Sequence, residues 1–152
     1  MDNTRRPRIL LADDDPDSRL LVEEILSAQG AEVVAVSDGQ EAVQQATQAP
    51  FDLCILDIEM PKLNGLEACP RLRATAFTRN LPVLFLTAQT DDATVERALA
   101  AGALDYLNKP ITAGLLWRRV SNALLLARLM REKENGASAR KAGSAQAAAG
   151  PA

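Results

Sequence analysis

Five short apolar runs, each followed by a stretch with helical spacing, constrain the fold of this chain more than any other feature. The runs are continuous rather than alternating, which is typical of parallel strands that are buried on both faces. Strands that alternate with helices form βαβ units, and these build a parallel sheet with helices on both sides. The predicted strands cover residues 8–12, 32–36, 51–56, 81–86 and 103–107.

Helix-end signals place a helix after each predicted strand. Asp38 is the predicted N-cap of the second helix, and Gly30 and Gly102 end the first and the fourth. Pro70 lies inside the third predicted helix, so this helix either bends or begins later than residue 66. The predicted helices cover residues 18–28, 40–48, 66–73, 92–101 and 113–134.

The composition excludes several classes of site. The chain contains no histidine, which excludes a Ser-His-Asp triad, a histidine-ligated zinc site and a phosphohistidine carried by this chain. Its two cysteines, Cys54 and Cys69, match no metal or redox spacing and are typical of a reducing compartment. No apolar run approaches the length of a membrane-spanning helix. The N-terminus is not a secretory signal either, because charge interrupts its apolar run after five residues, so we predict a cytoplasmic protein that does not contact a membrane.

Charge is distributed unevenly along the chain. Residues 1–110 carry 10 basic and 18 acidic side chains, whereas residues 111–152 carry 7 basic and 2 acidic ones. An acidic body does not suit a nucleic-acid-binding protein, which needs a basic footprint. We therefore predict no direct contact with nucleic acid.

The length of 152 residues fits one domain. Residues 135–152 contain no Val, Ile, Leu, Met or aromatic residue, and a segment of this composition cannot bury a core. We predict an N-terminal extension at residues 1–6, a folded domain at residues 7–134 and a disordered low-complexity tail at residues 135–152.

Polar side chains occupy the carboxyl ends of four predicted strands. They are Asp13 and Asp14 after the first strand, Asp57 after the third, Thr87 after the fourth and Lys109 after the fifth. In an open α/β sheet, ligands bind in the crevice outside these ends. Three close carboxylates repel one another, and a hard divalent cation such as Mg²⁺ relieves that repulsion. A carboxylate is also a competent nucleophile towards a phosphoryl group, whose oxygens Mg²⁺ and an ammonium group would neutralise.

Four motifs, RILLADDD, LDIEMPKLNG, LFLTA and DYLNKP, occur in this order along the chain. With these motifs the chain resembles a response-regulator receiver domain of two-component signal transduction, over about residues 7–130. The resemblance implies a single-domain, flavodoxin-like (βα)5 fold: a doubly wound parallel α/β sheet with strand order 2-1-3-4-5 and, here, an extended C-terminal helix.

The resemblance assigns roles to the residues at the strand ends. Asp57 would be the phosphoacceptor, and Lys109 would pair with its carboxylate or its phosphoryl group. Mg²⁺, or Mn²⁺ in its place, would be held by Asp13, Asp14, Asp57 and the backbone carbonyl of Glu59.

The resemblance also assigns a switch. Thr87 would be the switch hydroxyl, and Tyr106 would be the switch aromatic that turns inward as Thr87 moves. Glu59 and Gln89 would tune the hydrolysis of the aspartyl-phosphate. Pro110 would follow a cis peptide bond.

These roles imply a phosphoacceptor signalling domain rather than an enzyme with turnover, since it would catalyse only its own phosphorylation and dephosphorylation. A histidine kinase or a phosphotransfer protein would supply the phosphoryl group, and phosphorylation would switch a surface that binds a downstream protein effector or a second copy. The chain would be a stand-alone regulator, a phosphorelay intermediate, or the receiver part of a larger regulator, for example one with a diguanylate cyclase output.

Two other functions compete with this one. A phosphatase of the dehalogenase type would also use a strand-end Asp and Mg²⁺, but it needs a second Asp where this chain has Glu59, and its motif follows the first strand. A degenerate receiver would act as a structural module only. The intact set of Asp13, Asp14, Asp57, Thr87 and Lys109 argues against this second alternative.

The last predicted helix carries two apolar stripes. One stripe suffices to dock a helix on a sheet, and it comprises Leu116, Val120, Ala123, Ala127 and Met130. The other comprises Leu125, Leu126 and Leu129. This second stripe either packs against a second copy in a homodimer or is absorbed into the core of the domain, and we favour the homodimer.

Overall fold

The computed structural model describes residues 5–88 and 91–148, with side chains described up to residue 134. Five strands and five helices alternate along this part of the chain. They are β1 (Arg8–Ala12), α1 (Pro16–Ala28), β2 (Glu32–Val36), α2 (Gly39–Gln48), β3 (Leu53–Asp57), α3 (Gly65–Arg73), β4 (Val83–Thr87), α4 (Asp92–Ala100), β5 (Asp105–Asn108) and α5 (Ala113–Ala148).

The five strands form one parallel sheet in the order β2-β1-β3-β4-β5. This order confirms the predicted doubly wound fold. The chain reverses its direction of winding after β2, so the carboxyl ends of β1 and β3 lie side by side at the switch point. A ligand crevice is expected there.

Alternate residues of each strand point to opposite faces of the sheet. Leu10 and Leu56 belong to a buried cluster that α2, α3 and α4 cover, whereas Leu11 and Ile55 belong to a cluster that α1 and α5 cover. Both faces are therefore dry, which is why the strands are apolar without interruption.

Three predicted strands start too early. The third and fourth strands begin at Leu53 and Val83, two residues after their predicted starts, and the fifth is Asp105–Asn108 rather than 103–107. Pro82 has no N–H for a sheet ladder, and the amide of Ala103 instead donates to the carbonyl of Ala98 at the end of α4. Apolar loop residues next to a strand were thus mistaken for strand residues.

The third helix begins at Gly65, so the alternative of a later start is wrong. A capping box fixes this start: the Asn64 side chain accepts from the Glu67 amide, and the Glu67 side chain accepts from the Asn64 amide. Pro70 lies within the helix. The predicted N-cap role of Asp38 is confirmed, because its side chain accepts from the Glu41 amide.

The last helix continues to Ala148, past its predicted end at residue 134. Its backbone therefore extends through most of the segment that was predicted to be disordered. The physical reason is composition, because Ala is the strongest helix former and the first proline after Ala113 is Pro151. Over residues 5–88 and 91–148, no helix combines the length and apolar character needed to cross a bilayer.

The two stripes of α5 have different environments. Leu116, Val120 and Ala123 are buried against the sheet. Leu125, Leu126 and Leu129 of the second stripe are 43% to 50% exposed. The alternative that the core absorbs the second stripe is therefore wrong. Met130 of the first stripe is 54% exposed, so its predicted docking on the sheet is wrong; α5 leaves the core after Leu124.

Candidate functional site

The carboxyl edge of the sheet brings together the four strand-end positions. Asp57 and Thr87 are the last residues of β3 and β4, while Asp13 and Lys109 follow β1 and β5. Asp13, Asp57 and Thr87 are buried. Residues that are up to 96 positions apart in the chain therefore share one pocket.

Three carboxylates converge in this pocket. Asp13, Asp14 and Asp57 each offer an oxygen, and these oxygens lie within 4.8 Å of one another. Asp13 Oδ2 is buried and accepts no hydrogen bond from the described residues. An all-oxygen donor set fits a hard cation such as Mg²⁺, which prefers oxygen ligands and keeps some of its waters.

Lys109 reaches both buried carboxylates. Its Nζ donates to Asp57 Oδ2 at 2.6 Å and lies 3.1 Å from Asp13 Oδ2. The Lys109–Pro110 peptide bond is cis. The ammonium group neutralises part of the acidic charge and stands where it can contact any group attached to Asp57.

The pKa values of the two buried carboxylates, Asp57 and Asp13, are shifted in opposite directions from the ordinary value of an aspartate. Burial raises the pKa of Asp57 to about 6, and the Asp13 carboxylate adds to this rise while Lys109 opposes it. Burial also opposes the ionisation of Asp13, but hydrogen bonds led by those of the Ser18 hydroxyl and the Asp15 amide lower its pKa. Partial burial opposes the charge of Lys109, yet its contacts with Asp57 and Asp13 outweigh burial and raise its pKa.

The loop after β3 holds the Asp57 side chain and backbone. The Glu59 amide donates to Asp57 Oδ1 at 2.9 Å, and the Gly65 amide donates to the Ile58 carbonyl at 3.0 Å. A Cβ at Gly65 would lie 2.5 Å from the Asp57 carbonyl oxygen. Only glycine therefore allows α3 to start this close to Asp57, a contact that the sequence analysis did not predict.

The start of α2 supports the same loop from the other side. The Gly39 amide donates to the Leu63 carbonyl at 3.0 Å, and a Cβ at Gly39 would lie 2.0 Å from that oxygen. Lys62, with φ +65°, places its Nζ 3.6 Å from Asp38 Oδ2. The loop is thus fixed to two helix starts, and a glycine at the first residue of each helix was the available sequence signal.

The segment after β1 is held by contacts that were also missed. Arg19 Nη1 donates to the Asp13 carbonyl at 2.8 Å, and the Asp15 amide donates to Asp13 Oδ1 at 3.0 Å. The Asp15 side chain caps α1 by accepting from the Asp17 amide. These contacts fix the orientation of Asp13.

Residues 9–121 match the family model described as the response regulator receiver domain. The chain belongs to this family. The match covers both buried clusters up to Val120 and all four strand-end positions. The resemblance identified from the sequence motifs is confirmed.

Two relatives show the kinds of protein in which such receiver domains occur. The receiver domain is 42% identical over 113 residues to the sensor protein GacS of Pseudomonas syringae pv. syringae. This match covers 72% of this chain and 12% of GacS. It is 39% identical over 127 residues to the uncharacterized transcriptional regulatory protein YrkP of Bacillus subtilis (strain 168), covering 84% and 53% respectively. The chain therefore spans about half or less of these relatives.

Solved structures share the fold. The chemotaxis response regulator CheY4 of Vibrio cholerae superposes with a TM-score of 0.75 at 30% identity, covering 78% of this chain and 99% of that one. The receiver domain of the sensor histidine kinase PA1611 of Pseudomonas aeruginosa PAO1 gives 0.74 at 32% identity, covering 79% and 98%. That second structure has a magnesium ion coordinated in its active site cleft.

The remaining predicted residues of the receiver domain lie around the pocket. Glu59 is exposed, with its carbonyl in the loop after β3. Tyr106 is half-buried against the cluster under α4. In the sheet it lies opposite Phe85 of β4, and Phe85 is two residues before Thr87. Gln89 lies outside the described residues.

Proposed function

We propose that this receiver domain is a phosphoacceptor of a two-component or phosphorelay system, phosphorylated on Asp57. The observation that supports this most directly is the arrangement around Asp57, with two further carboxylates within 4.8 Å and the Lys109 ammonium at 2.6 Å. Because the chain has no histidine, the phosphoryl group comes from the phosphohistidine of a histidine kinase or phosphotransfer protein.

In the proposed reaction, an Asp57 carboxylate oxygen attacks the phosphorus atom. A P–O bond forms while the P–N bond to the donor imidazole breaks, and the leaving nitrogen keeps the electron pair of that bond. Lys109 stabilises the negative charge on the transferred group, since its Nζ already lies at the nucleophile. The Thr87 hydroxyl, at the end of the neighbouring strand, donates to a phosphoryl oxygen.

The carboxylates of Asp13, Asp14 and Asp57 and the carbonyl of Glu59 would hold Mg²⁺ or Mn²⁺. When bound, the cation supplies charge neutralisation and orientation for the phosphoryl oxygens. The contacts of Arg19 and of the Asp15 amide keep Asp13 in place before the cation arrives. The fixed loop after β3 does the same for the Glu59 carbonyl.

The proposal is tested by the intact mass of the protein after incubation with acetyl phosphate or with a phosphorylated histidine kinase. We expect a gain of one phosphoryl group in the presence of Mg²⁺ and none in excess EDTA. A folded protein that gains no mass from either donor contradicts the proposal.

We further propose that the domain does not turn over small phosphate esters. No cap over the pocket is present among residues 5–88 and 91–134, and Glu59, the residue two positions after Asp57, is exposed. The rate of phosphate release from p-nitrophenyl phosphate should therefore match that of buffer. Sustained release that depends on Asp57 would instead support the phosphatase alternative.

Phosphorylation would be relayed through the Thr87–Tyr106 side of the pocket to a downstream effector. Thr87 and Tyr106 lie on adjacent strands, and Tyr106 packs where α4 meets the sheet. Only Ala98 of α4 is buried, which leaves this helix weakly attached. Glu59 and Gln89 would tune how long the phosphoryl group persists.

A pH-dependent stability is expected without metal. The pKa of Asp57 rises from 3.8 to about 6 on folding. At a pH between these two values, Asp57 therefore binds more protons in the folded protein than in the unfolded one. The contribution of Asp57 to stability therefore falls as the pH rises from about 4 to about 6. Asn resembles protonated Asp, so in EDTA at neutral pH Asp57→Asn should melt several degrees above the wild type.

Thermal unfolding against pH checks this expectation. The difference between Asp57→Asn and wild type should vanish below about pH 4, and Mg²⁺ should reduce it at neutral pH by stabilising the wild type. An unchanged difference across the whole pH range would contradict the assigned titration.

We propose that the exposed stripe of α5 mediates homodimerisation. Leu126 and Leu129 lie about half exposed on a helix whose other side packs on the sheet. Leu126→Glu combined with Leu129→Glu should convert a dimer into a folded monomer, because paired carboxylates would oppose each other across the seam. Sedimentation equilibrium measures the oligomeric state. Leu99→Glu, at an exposed leucine of α4, is the control and should leave the dimer intact. A wild type that is monomeric in both phosphorylation states contradicts the proposal.

A further inference from the structure

The amino ends of the strands form a second surface, far along the strand axis from Asp57. Two adjoining clefts of about 230 and 200 Å³ lie there, and α5 lines both of them. They share a lining of Asn80, Leu81, Pro82, Ala127 and Arg131. We name this pair of clefts the basal groove.

An exposed aromatic side chain lies at one end of the basal groove. Phe77, in the loop between α3 and β4, lines the groove and is 60% exposed, the largest fraction among the exposed large apolar side chains of the described residues. Met130 lines the other cleft and is 54% exposed. Apolar side chains in a concave surface are typical of protein contact sites.

The wall that carries Phe77 is held firmly. Arg73 donates to the carbonyls of Leu81 at 2.7 Å, Arg79 at 3.2 Å and Gly102 at 3.0 Å. The Thr78 hydroxyl donates to the Leu72 carbonyl. A surface that is already ordered loses little conformational entropy when a partner binds.

The rim of the basal groove is basic. Arg79 and Arg131 line it and form no ion pair with another described residue. Glu134 is the acidic residue of the first cleft, and Asp52 in the second is already paired with Arg5. The groove therefore offers apolar contacts flanked by unpaired positive charge.

We propose that the basal groove docks an acidic segment of a partner protein, with a large apolar side chain of that segment placed beside Phe77 and its carboxylates on Arg79 and Arg131. This inference does not depend on the phosphorylation of Asp57. The opposite carboxyl edge is acidic, so the charge complementarity is confined to the basal end of the domain.

Other occupants fit less well. Two narrow clefts of about 200 Å³ accept side chains rather than a flat lipid surface, and a net charge of −3 disfavours approach to a polyanionic membrane or nucleic acid. A symmetric pair of basal grooves would place arginines against arginines. Residues 135–152 carry Arg140 and Lys141 and no acid, so the chain's own C-terminal segment lacks the required charge.

The probe for this proposal is a fluorescent peptide with a central pair of leucines flanked by glutamates. Its anisotropy on titration with the whole chain measures binding, and amide chemical-shift changes locate it. A peptide with lysines in place of the glutamates is the matched probe. We expect the glutamate peptide to bind and the lysine peptide not to bind.

The protein variants separate this site from general charge effects. Phe77→Ser and Arg131→Glu should each weaken binding about tenfold. Arg118→Glu reverses an exposed arginine of the same helix that does not line the groove, and it should leave binding unchanged. Because Phe77 and Arg131 are exposed, thermal melting of these variants should stay close to that of the wild type.

Three results would overturn the proposal. The first is no binding of the glutamate peptide, and the second is binding that Phe77→Ser and Arg131→Glu leave unchanged. The third is that the protein binds phosphatidylcholine–phosphatidylglycerol vesicles or a DNA duplex instead of the glutamate peptide, and that Arg131→Glu abolishes this binding. That last result would assign the groove to a membrane or to nucleic acid.

Discussion

Asp57→Asn should abolish phosphoryl incorporation completely, from acetyl phosphate and from a phosphorylated kinase alike. An amide nitrogen or oxygen in this position is a poor nucleophile, and no other described carboxylate is both buried and bonded to Lys109 at 2.6 Å. Asp13 is the nearest candidate, but its side chain is held by Ser18 and the Asp15 amide. Intact mass and peptide mapping after borohydride trapping measure the result.

Asp52→Asn is the matched control. Asp52 is also a buried carboxylate, but it lies just before β3 at the basal end, where it pairs with Arg5 and accepts from the Arg8 amide. We expect this variant to lose stability and to retain one phosphoryl group. Phosphorylation of Asp57→Asn on another residue would show that the pocket has a second acceptor and that the assignment of Asp57 is wrong.

Gly65→Ala should destabilise the domain by about 2 to 3 kcal/mol and slow its phosphorylation. The added methyl group would lie 2.5 Å from the Asp57 carbonyl oxygen, and backbone rather than a flexible side chain would have to move. Urea unfolding gives the loss of free energy, and the rate of acetyl phosphate uptake reports the displaced carboxylate.

Gly114→Ala provides the contrast for Gly65→Ala. Gly114 is also near the start of a helix, but a Cβ there meets nothing within 4 Å. We expect this variant to gain up to about 1 kcal/mol, because Ala is the better helix former, with an unchanged phosphorylation rate. If the two variants had the same stability, the close approach of α3 to Asp57 would not constrain the domain.

Local patterns sufficed for the sheet but not for its boundaries. Continuous apolar runs predicted five strands because both faces of the sheet are dry, and the motif order gave the strand order through the family resemblance. The start of β5 was missed because Ala103 and Leu104 are apolar for another reason: they pack and bond between α4 and β4. The predicted end of the last helix, at residue 134, is too early. Where the apolar periodicity is lost, the helix no longer docks on the sheet, but its residues still favour a helical backbone.

The convergence of the strand-end residues was predictable from the sequence, but the contacts that support them were not. Asp13, Asp57 and Lys109 are found from the sequence because the carboxyl ends of parallel strands share one edge. The contacts of Gly39 with Leu63 and of Gly65 with Asp57 join segments whose approach depends on how two helices dock. No local signal gives such distances, and a glycine at a helix start only indicates that some close neighbour exists.

Among the described side chains of α5, Ala123 is the last buried one and Leu124 the last that packs on the core, although the helix runs to Ala148. The match to the family model ends at nearly the same place, at residue 121. Residues 125–134 can therefore be substituted without the loss of a contact in either buried cluster. A protein segment fused in frame after residue 134 would be connected to the core by a continuous helix. This architecture makes the receiver domain easy to reuse during evolution.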